Sequence, residues 1–182
     1  GTGGYVQVTN LSSAGGYISA DAAKFVFKSV LAVDVTAAVS RKTHGSVGDF
    51  DVDILMAGAV ECRQAGPTSI LVTFSRSIAQ VTGTAADVSV SSGTVSGLTI
   101  DGNRLLITMS GAADASPLAI AFPGIRGTAG QNITHTLCVG VLLGDVTGDK
   151  QANVVDLLNM KANVNQPATA ANFRNDITTD GV

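Results

Sequence analysis

The sequence predicts a mainly β protein, in which an immunoglobulin-like two-sheet sandwich is followed by a small C-terminal loop-helix module. Three observations predict this class. Thr, Val, Ser, Gly and Ala dominate the composition, whereas Glu, Lys and Leu, the usual residues of surface helices, are scarce. Short apolar or alternating segments are separated by Gly, Ser, Pro or Asp at close spacing. From Gly144 onwards, apolar residues recur instead at helical spacing.

The first segment, residues 1–38, contains two strand-like stretches. These are "YVQVTN" and "KFVFKSVLAVDV", joined by the Gly-, Ser- and Ala-rich "LSSAGGYISADAA". They are either the N-terminal strands of the sandwich or the end of a preceding domain, and the sequence leaves both interpretations open.

The predicted sandwich covers residues 39–143. "DFDVDIL" alternates strictly, with its apolar residues on one face and its aspartates on the other, as expected of a half-buried strand. Further strands are predicted in "AVECR", "SILVTFS", "ADVSV", "TVSGLTI", "RLLITMS", "LAIAFPGI" and "ITHTLCVGVLL". Within "TIDGNRLLI", Asp101-Gly102 predicts a tight hairpin, because these residues readily adopt positive φ.

Charge and cysteine content limit the classes of function that the chain can have. The net charge is −3 with 11 Lys and Arg and no basic run, which argues against a nucleic-acid-binding surface. Apolar runs such as "FVFKSVLAV" are far shorter than the roughly 20 residues that span a membrane. The composition is typical of a secreted or cell-surface protein. Cys62 and Cys138 form either one disulfide or two buried free thiols.

A calcium-binding loop is predicted from Asp145 onwards. In "DVTGDKQANVVD", aspartates stand at positions one, five and twelve, and other oxygen-bearing groups stand at positions three, seven and nine. Calcium takes six to eight oxygen ligands from a loop of this length, including a main-chain carbonyl at position seven. The predicted ligands are Asp145, Thr147, Asp149, the carbonyl of Gln151, Asn153 and Asp156.

A helix and a partial repeat follow this loop. Apolar residues at Val154, Leu157, Leu158 and Val164 have the spacing of one helical face, and the helix is expected to end before Pro167. The same loop pattern restarts in "DITTDGV". It gives Asp176, Thr178, Asp180 and the Val182 carbonyl at positions one, three, five and seven.

The segments "DVTGDKQANVVDLLNMK", "NFRND" and "DITTDGV" resemble a type I dockerin, an EF-hand-like module with two calcium-binding loop-helix repeats. The resemblance covers residues 144–182. It implies a calcium ion in each loop, a water-mediated role for Asn153, and a cohesin domain of a partner protein as the binding partner. Three features depart from the family. Lys150 stands where glycine is usual, which adds strain of about 1 kcal/mol. Thr147 and Thr178 replace Asn or Asp, and the second loop stops at position seven.

The preceding region looks like the sandwich modules that occur before dockerin-like tails in large secreted bacterial proteins. The segments that carry this resemblance are "SRKTHGSVGDFDVDI", "VECRQAG" and "TVSGLTIDGNRLLITMSG". It implies that the chain is the C-terminal part of a longer multi-domain protein.

These features together predict a non-catalytic, extracellular, calcium-binding structural or docking module, with a cohesin-like domain or neighbouring copies of itself as partner. A self-assembling fibre or surface-layer subunit is one alternative. A carbohydrate-binding sandwich is another, although aromatic residues make up only 4% of the chain. Catalysis is not expected, because Ser40, His44 and Asp49 lack the nucleophile-elbow motif of a serine hydrolase.

Overall fold

The structure is a computed structural model and describes residues 31–182. The predicted strand "YVQVTN" and most of "KFVFKSVLAVDV" lie outside these residues. The strands in chain order are β1 (Val35–His44), β2 (Gly48–Asp53), β3 (Val60–Glu61), β4 (Ser69–Phe74), β5 (Ile78–Gln80), β6 (Ser89–Val90), β7 (Thr94–Asp101), β8 (Arg104–Ser110), β9 (Ser116–Ala121), β10 (Ile125–Gly127) and β11 (Thr136–Val141). One helix, α1 (Val154–Ala162), follows them.

Two main sheets form the sandwich. The larger sheet has the order β2-β1-β4-β8-β7, and the smaller has the order β3-β11-β9-β6. A separate two-stranded ribbon joins β10 and β5. All strand pairs are antiparallel except β3 with β11. The mainly β sandwich followed by a short loop-helix segment is therefore confirmed. Strand β1 begins at Val35, so it includes the last four residues of the predicted N-terminal segment.

The core lies between the two sheets and is built from alternate residues of the central strands. In β4 and β8, every second side chain is buried, as period-two patterning requires. Each fully buried aliphatic or aromatic side chain contributes roughly 1.5–3 kcal/mol relative to exposure. The side chains with at most 2% exposure on these two strands and on the facing β9 and β11 are Ile70, Val72, Phe74, Leu105, Ile107, Met109, Leu118, Ile120, Leu137 and Val139.

Of two local predictions in the larger sheet, the alternation in β2 is confirmed, whereas the hairpin turn is shifted by one residue. In β2, Val52 is buried and the aspartates are exposed, as the strict alternation predicts. The predicted hairpin joins β7 to β8, but Asp101 pairs with Arg104, so the turn residues are Gly102 and Asn103. Only Gly102 of these has a positive φ, of 60°. The turn lies one residue later than predicted because Asp101 remains in the sheet.

The helix α1 begins at Val154, the first apolar residue of the predicted face, and ends at Ala162, before Pro167 as predicted. Its first turn has a capping box, in which Asn153 accepts from the main chain of the first turn and Asp156 accepts from the Asn153 N–H. The apolar residues predicted to form one helical face are exposed, with Val154 at 66% and Leu157 at 59%. The helix therefore does not dock the tail on the sandwich. Within residues 31–182, no helix is both long and apolar enough to cross a membrane.

Candidate metal centre

Three carboxylates of the predicted twelve-residue loop, the last of them in the first turn of α1, converge. One oxygen from each of Asp145, Asp149 and Asp156 lies within 4.8 Å of the others. Asp145 and Asp156 are buried, whereas Asp149 is exposed. The three residues at positions one, five and twelve of the predicted loop therefore meet at one point. Such a cluster offers the oxygen ligands that calcium prefers.

The carboxylate of Asp145 organises the first half of the loop. Its Oδ1 accepts hydrogen bonds from the main-chain N–H groups of Gly148 at 2.8 Å and Asp149 at 3.1 Å, and its Oδ2 accepts from Lys150 N–H at 2.8 Å. This wrapping requires positive φ at two positions, which Gly148 and Lys150 adopt at 78° and 72°. Lys150 therefore has the conformation for which glycine is usual, as the sequence predicts.

The carboxylate of Asp156 closes the loop from the helix side. Its Oδ1 accepts from the Thr147 N–H at 3.0 Å and from the Thr147 hydroxyl at 2.9 Å, and its Oδ2 accepts from the Asn153 N–H at 2.9 Å. The Asn153 N–H is the main cause that lowers the pKa of Asp156, opposed by burial and assisted by Thr147. Asp156 is therefore held as a carboxylate, the form that binds a metal ion.

The other predicted ligands of the first loop make hydrogen bonds within the loop. The Asn153 side chain accepts from Val155 N–H at 2.8 Å and caps α1. The Gln151 N–H donates to Asp149 Oδ1 at 2.8 Å, which fixes the peptide beside the predicted carbonyl ligand. The Thr147 hydroxyl also lies 3.3 Å from Asp145 Oδ1, so it links the first and last carboxylates of the loop.

The second loop repeats the folding of the first as far as position seven. Asp176 Oδ1 accepts from the Thr178 hydroxyl at 3.2 Å and the Asp180 N–H at 3.3 Å, and its Oδ2 accepts from the Gly181 N–H at 2.9 Å. Asp180 Oδ1 accepts from the Val182 N–H at 3.1 Å, as Asp149 does from Gln151. The sequence repeat is therefore also a repeat in structure. We call residues 176–182 the second half-loop.

A histidine of the sandwich binds the first carboxylate of the second half-loop. His44 at the end of β1 is buried, and its Nδ1 lies 2.7 Å from Asp176 Oδ2. On the other side of the ring, Arg63 Nη1 lies 3.2 Å from His44 Nε2. Because an arginine can only donate, this arrangement assigns the ring proton to Nδ1. Burial alone would raise the pKa of Asp176, but the hydrogen bonds from His44 and from the Gly181 N–H lower it.

Behind His44 lies a buried ion pair. Arg63 donates from Nε to Glu61 Oε1 at 2.8 Å and from Nη2 to Glu61 Oε2 at 2.7 Å, and neither side chain is exposed. The guanidinium also donates to the carbonyls of Ser40 and Phe50. Burial would raise the pKa of Glu61, but the bidentate contact with Arg63 outweighs it and the pKa is lowered. All donors of this guanidinium are directed into the protein rather than to solvent.

The segment 173–181, which we call the C-terminal clasp, includes most of the second half-loop. It attaches the tail to the sandwich through its main chain. The Gly45 N–H donates to the Thr179 carbonyl at 3.0 Å, and the Gln64 N–H donates to the Ile177 carbonyl at 2.8 Å. A Cβ atom at Gly45 would overlap the Asp180 carbonyl oxygen, so the two segments are in contact at the backbone.

An aromatic contact completes the attachment of the clasp. Phe173 stacks on Phe50 with ring centroids 5.3 Å apart and an interplanar angle of 7°. The guanidinium of Arg63 lies over the Phe173 ring, 5.6 Å from its centroid.

Sequence reasoning missed the residues that join the tail to the sandwich, namely His44, Glu61, Arg63 and Arg174. One signal for the ion pair is present: Glu61 is the only glutamate of the chain, and it stands two residues before Arg63 in an otherwise apolar segment. An isolated pair of opposite charges in such a strand is typical of a buried salt bridge. No comparable local signal exists for His44, because its contact with Asp176 spans 132 residues.

The cysteines do not form the disulfide that was one of the two predicted states. Both are free; Cys62 is buried and Cys138 is exposed, so only one of them is a buried thiol. Burial raises the pKa of Cys62 to about 11. Its thiol donates to the Arg174 carbonyl at a distance of 3.7 Å.

The residues considered for a serine hydrolase do not assemble into one. Ser40 is buried, and His44 contacts Asp176 and Arg63. Asp49 is exposed and accepts from the Thr43 hydroxyl at 2.6 Å. This arrangement has no nucleophile–base pair at the surface.

No family model and no curated protein matches the sequence. Among solved structures, the chain is similar to the N-terminal part of the bacterial S-layer protein SbsC, at 15% identity and a TM-score of 0.40, over 62% of this chain and 24% of that one. Similar values hold for the S-layer protein rSbsC(31-844), with 15% identity, a TM-score of 0.40 and coverage of 62% and 14%. For the structure of SbsC domains 1–6, the identity is 14% and the TM-score is 0.39, over 60% of this chain and 13% of that one. This chain thus spans less than a quarter of the length of each of these three structures.

Proposed function

We propose that this chain is a non-catalytic, extracellular structural module whose dockerin-like tail is stabilised by one calcium ion. The observation that carries the proposal is the convergence of Asp145, Asp149 and Asp156 oxygens within 4.8 Å. These residues occupy positions one, five and twelve of a loop that leads directly into α1. A solvated acidic loop does not require aspartates at these three positions, whereas a calcium-binding loop requires ligands there.

Electrostatics support a bound cation. Three carboxylates whose oxygens lie within 4.8 Å of one another repel, because like charges at this separation raise each other's energy. A divalent ion at their centre converts this repulsion into attraction. The tail buries few apolar side chains, namely Val146 and Ala168 and, in part, Phe173, so ion binding is a substantial source of its folding free energy.

An associative role is supported by the outer surface of α1. Val154, Val155, Leu157 and Leu158 are each more than 50% exposed on a helix of nine residues. Exposed apolar patches of this kind are typical of protein-binding surfaces. In the proposed function, this helix contacts a cohesin-like domain of a partner, and calcium keeps the helix in position.

A second candidate function, a self-assembling surface subunit, is favoured by the edge strand β7. This strand has eight residues and carries neither lysine nor proline, two residues that protect a sheet edge from pairing with another chain, although a register shift between Val95 and Gly97 interrupts it. Sedimentation velocity over a range of concentrations, with and without calcium, separates the two candidates. A self-assembling subunit forms large species from the purified chain, whereas a docking module stays monomeric until a partner is added.

Calorimetric calcium titration of the chelator-treated chain tests the metal centre. We expect one ion per chain in the wild type and a strong loss of affinity in Asp149→Asn, which removes a charge but keeps the acceptor for the Gln151 N–H. Asp180→Asn is the matched control, because it makes the same change at the same position of the second half-loop. It should leave the affinity unchanged. A wild type that takes up no calcium at millimolar concentration overturns the proposal.

A further inference from the structure

The guanidinium of Arg174 joins three parts of the molecule. It donates to the Val146 carbonyl from Nε at 2.9 Å, to the Asp145 carbonyl from Nη2 at 3.1 Å, and to the Val60 carbonyl from Nη1 at 3.1 Å. Asp145 begins the candidate calcium loop and Val60 belongs to β3 of the sandwich. Arg174 itself lies in the C-terminal clasp. One side chain therefore holds the entry of the loop, the edge of the sandwich and the clasp together.

The clasp is bound to the sandwich independently of Arg174. The buried contact between His44 and Asp176 and the hydrogen bonds donated by Gly45 and Gln64 also hold it. In the second half-loop, the carboxylate at position one is thus used for a contact within the protein. This half-loop is folded like the first, but it docks the tail on the sandwich.

We propose that calcium binding in the first loop and docking of the clasp on the sandwich are coupled through Arg174, which acts as a positioning residue of the metal centre. The proposal rests on the proposed calcium site. The planar guanidinium fixes the carbonyls of Asp145 and Val146, and so fixes the peptides that carry the first ligand into the loop. A docked clasp preorganises the loop for the ion, and a bound ion in turn holds the carbonyls that the clasp contacts. Such coupling is reciprocal by thermodynamic necessity.

Two measurements on the full chain test the coupling. The first uses the wild type alone: amide hydrogen exchange of Gly45 and Gln64, which donate to the clasp, is followed by NMR with and without calcium. We expect calcium to slow exchange at both amides by about fivefold or more. The second is calcium titration of Arg174→Lys, which keeps the positive charge but loses the planar fork of donors. We expect its affinity to fall by about fivefold or more.

A matched control and distinct outcomes make the test decisive. Arg41→Lys alters an exposed arginine paired with Asp51 and should change neither the calcium affinity nor the exchange of the two amides. If the wild type binds calcium but exchange at Gly45 and Gln64 is the same with and without it, the coupling is overturned while the calcium site stands. The coupling is also overturned if Arg174→Lys binds calcium as the wild type does. If the wild type binds no calcium, the proposed function fails and the coupling fails with it.

Discussion

His44 Nδ1 and Asp176 Oδ2 lie 2.7 Å apart, although the two residues are separated by 132 positions in the chain. Both side chains are buried, so this contact lies inside the junction between the sandwich and the tail. Asp176 stands at position one of a calcium-type loop, and His44 donates to the oxygen that also accepts from Gly181. The junction is therefore formed by a side chain of β1 that binds the first carboxylate of the second half-loop.

Replacing His44 should destabilise the protein through this junction. His44→Leu keeps most of the side-chain volume but leaves the buried Asp176 without its strongest partner, at a cost of about 2 kcal/mol. Urea unfolding followed by circular dichroism measures the change. The control is His135→Leu, because His135 is exposed and should tolerate the change. If the two variants unfold alike, the His44–Asp176 contact contributes nothing to stability.

Lys150→Gly should stabilise the loop. Lys150 has a φ of 72°, a conformation that costs an L-residue about 1 kcal/mol and glycine almost nothing. We expect an increase of about 1 kcal/mol in unfolding free energy and tighter calcium binding. Lys161→Gly serves as the control, because this lysine lies in the last turn of α1, where glycine is unfavourable. The same substitution should therefore have opposite effects at the two lysines, and a loss of stability at Lys150 would contradict the prediction.

The two cysteines should differ in reactivity. Cys138 is exposed, whereas burial raises the pKa of Cys62 to about 11, so at pH 8 almost none of its thiol is in the reactive thiolate form. Titration with a thiol reagent at pH 8 should count one reactive group in the folded protein and two after denaturation. Cys138→Ser should remove the reactive group of the folded protein. Two rapidly reacting thiols before denaturation would show that the Cys62 thiol is accessible to the reagent in the folded protein.

Asp87 predicts a pH dependence of stability away from the metal centre. Burial would raise its pKa, but donors from the Thr82 hydroxyl and N–H and from the Gly83 N–H lower it. A carboxylate with a lowered folded-state pKa stabilises the protein above its ordinary pKa of about 3.9, and the stabilisation is lost as pH falls through the folded value. At pH 7, the melting temperature of Asp87→Asn should therefore be lower than that of the wild type. This difference in melting temperature should narrow below about pH 4. A difference that stays constant down to about pH 2.5 would contradict this assignment.

Much of the fold was predictable because its determinants are local. The alternation in β2, the hairpin at Gly102 and the capped start of α1 each depend on residues within one turn or strand of one another. The registry of Asp145, Asp149 and Asp156 is local as well, since twelve residues suffice to bring them together.

The junction was not predictable for the opposite reason. Arg174 meets Val60 across 114 residues, and no spacing rule relates the two positions. The exposure of Leu157 and Leu158 has the same origin. A helical apolar face is usually buried, but here the clasp takes the contact with the sandwich and leaves the helix outside. Periodicity predicts which residues share a face, whereas long-range contacts determine what that face touches.

The placement of the clasp has a mechanical consequence. Leu31 precedes one end of β1, while Thr179 and Gly181 contact its other end at Gly45 and His44, about 30 Å away along a ten-residue strand. Tension applied between Leu31 and the part of the clasp bound at Gly45 therefore loads β1 along its length. It loads the hydrogen bonds to β2 and β4 in shear, so that many must break together rather than one by one. A pulling force applied in this way therefore meets higher resistance than one that separates the strands one hydrogen bond at a time.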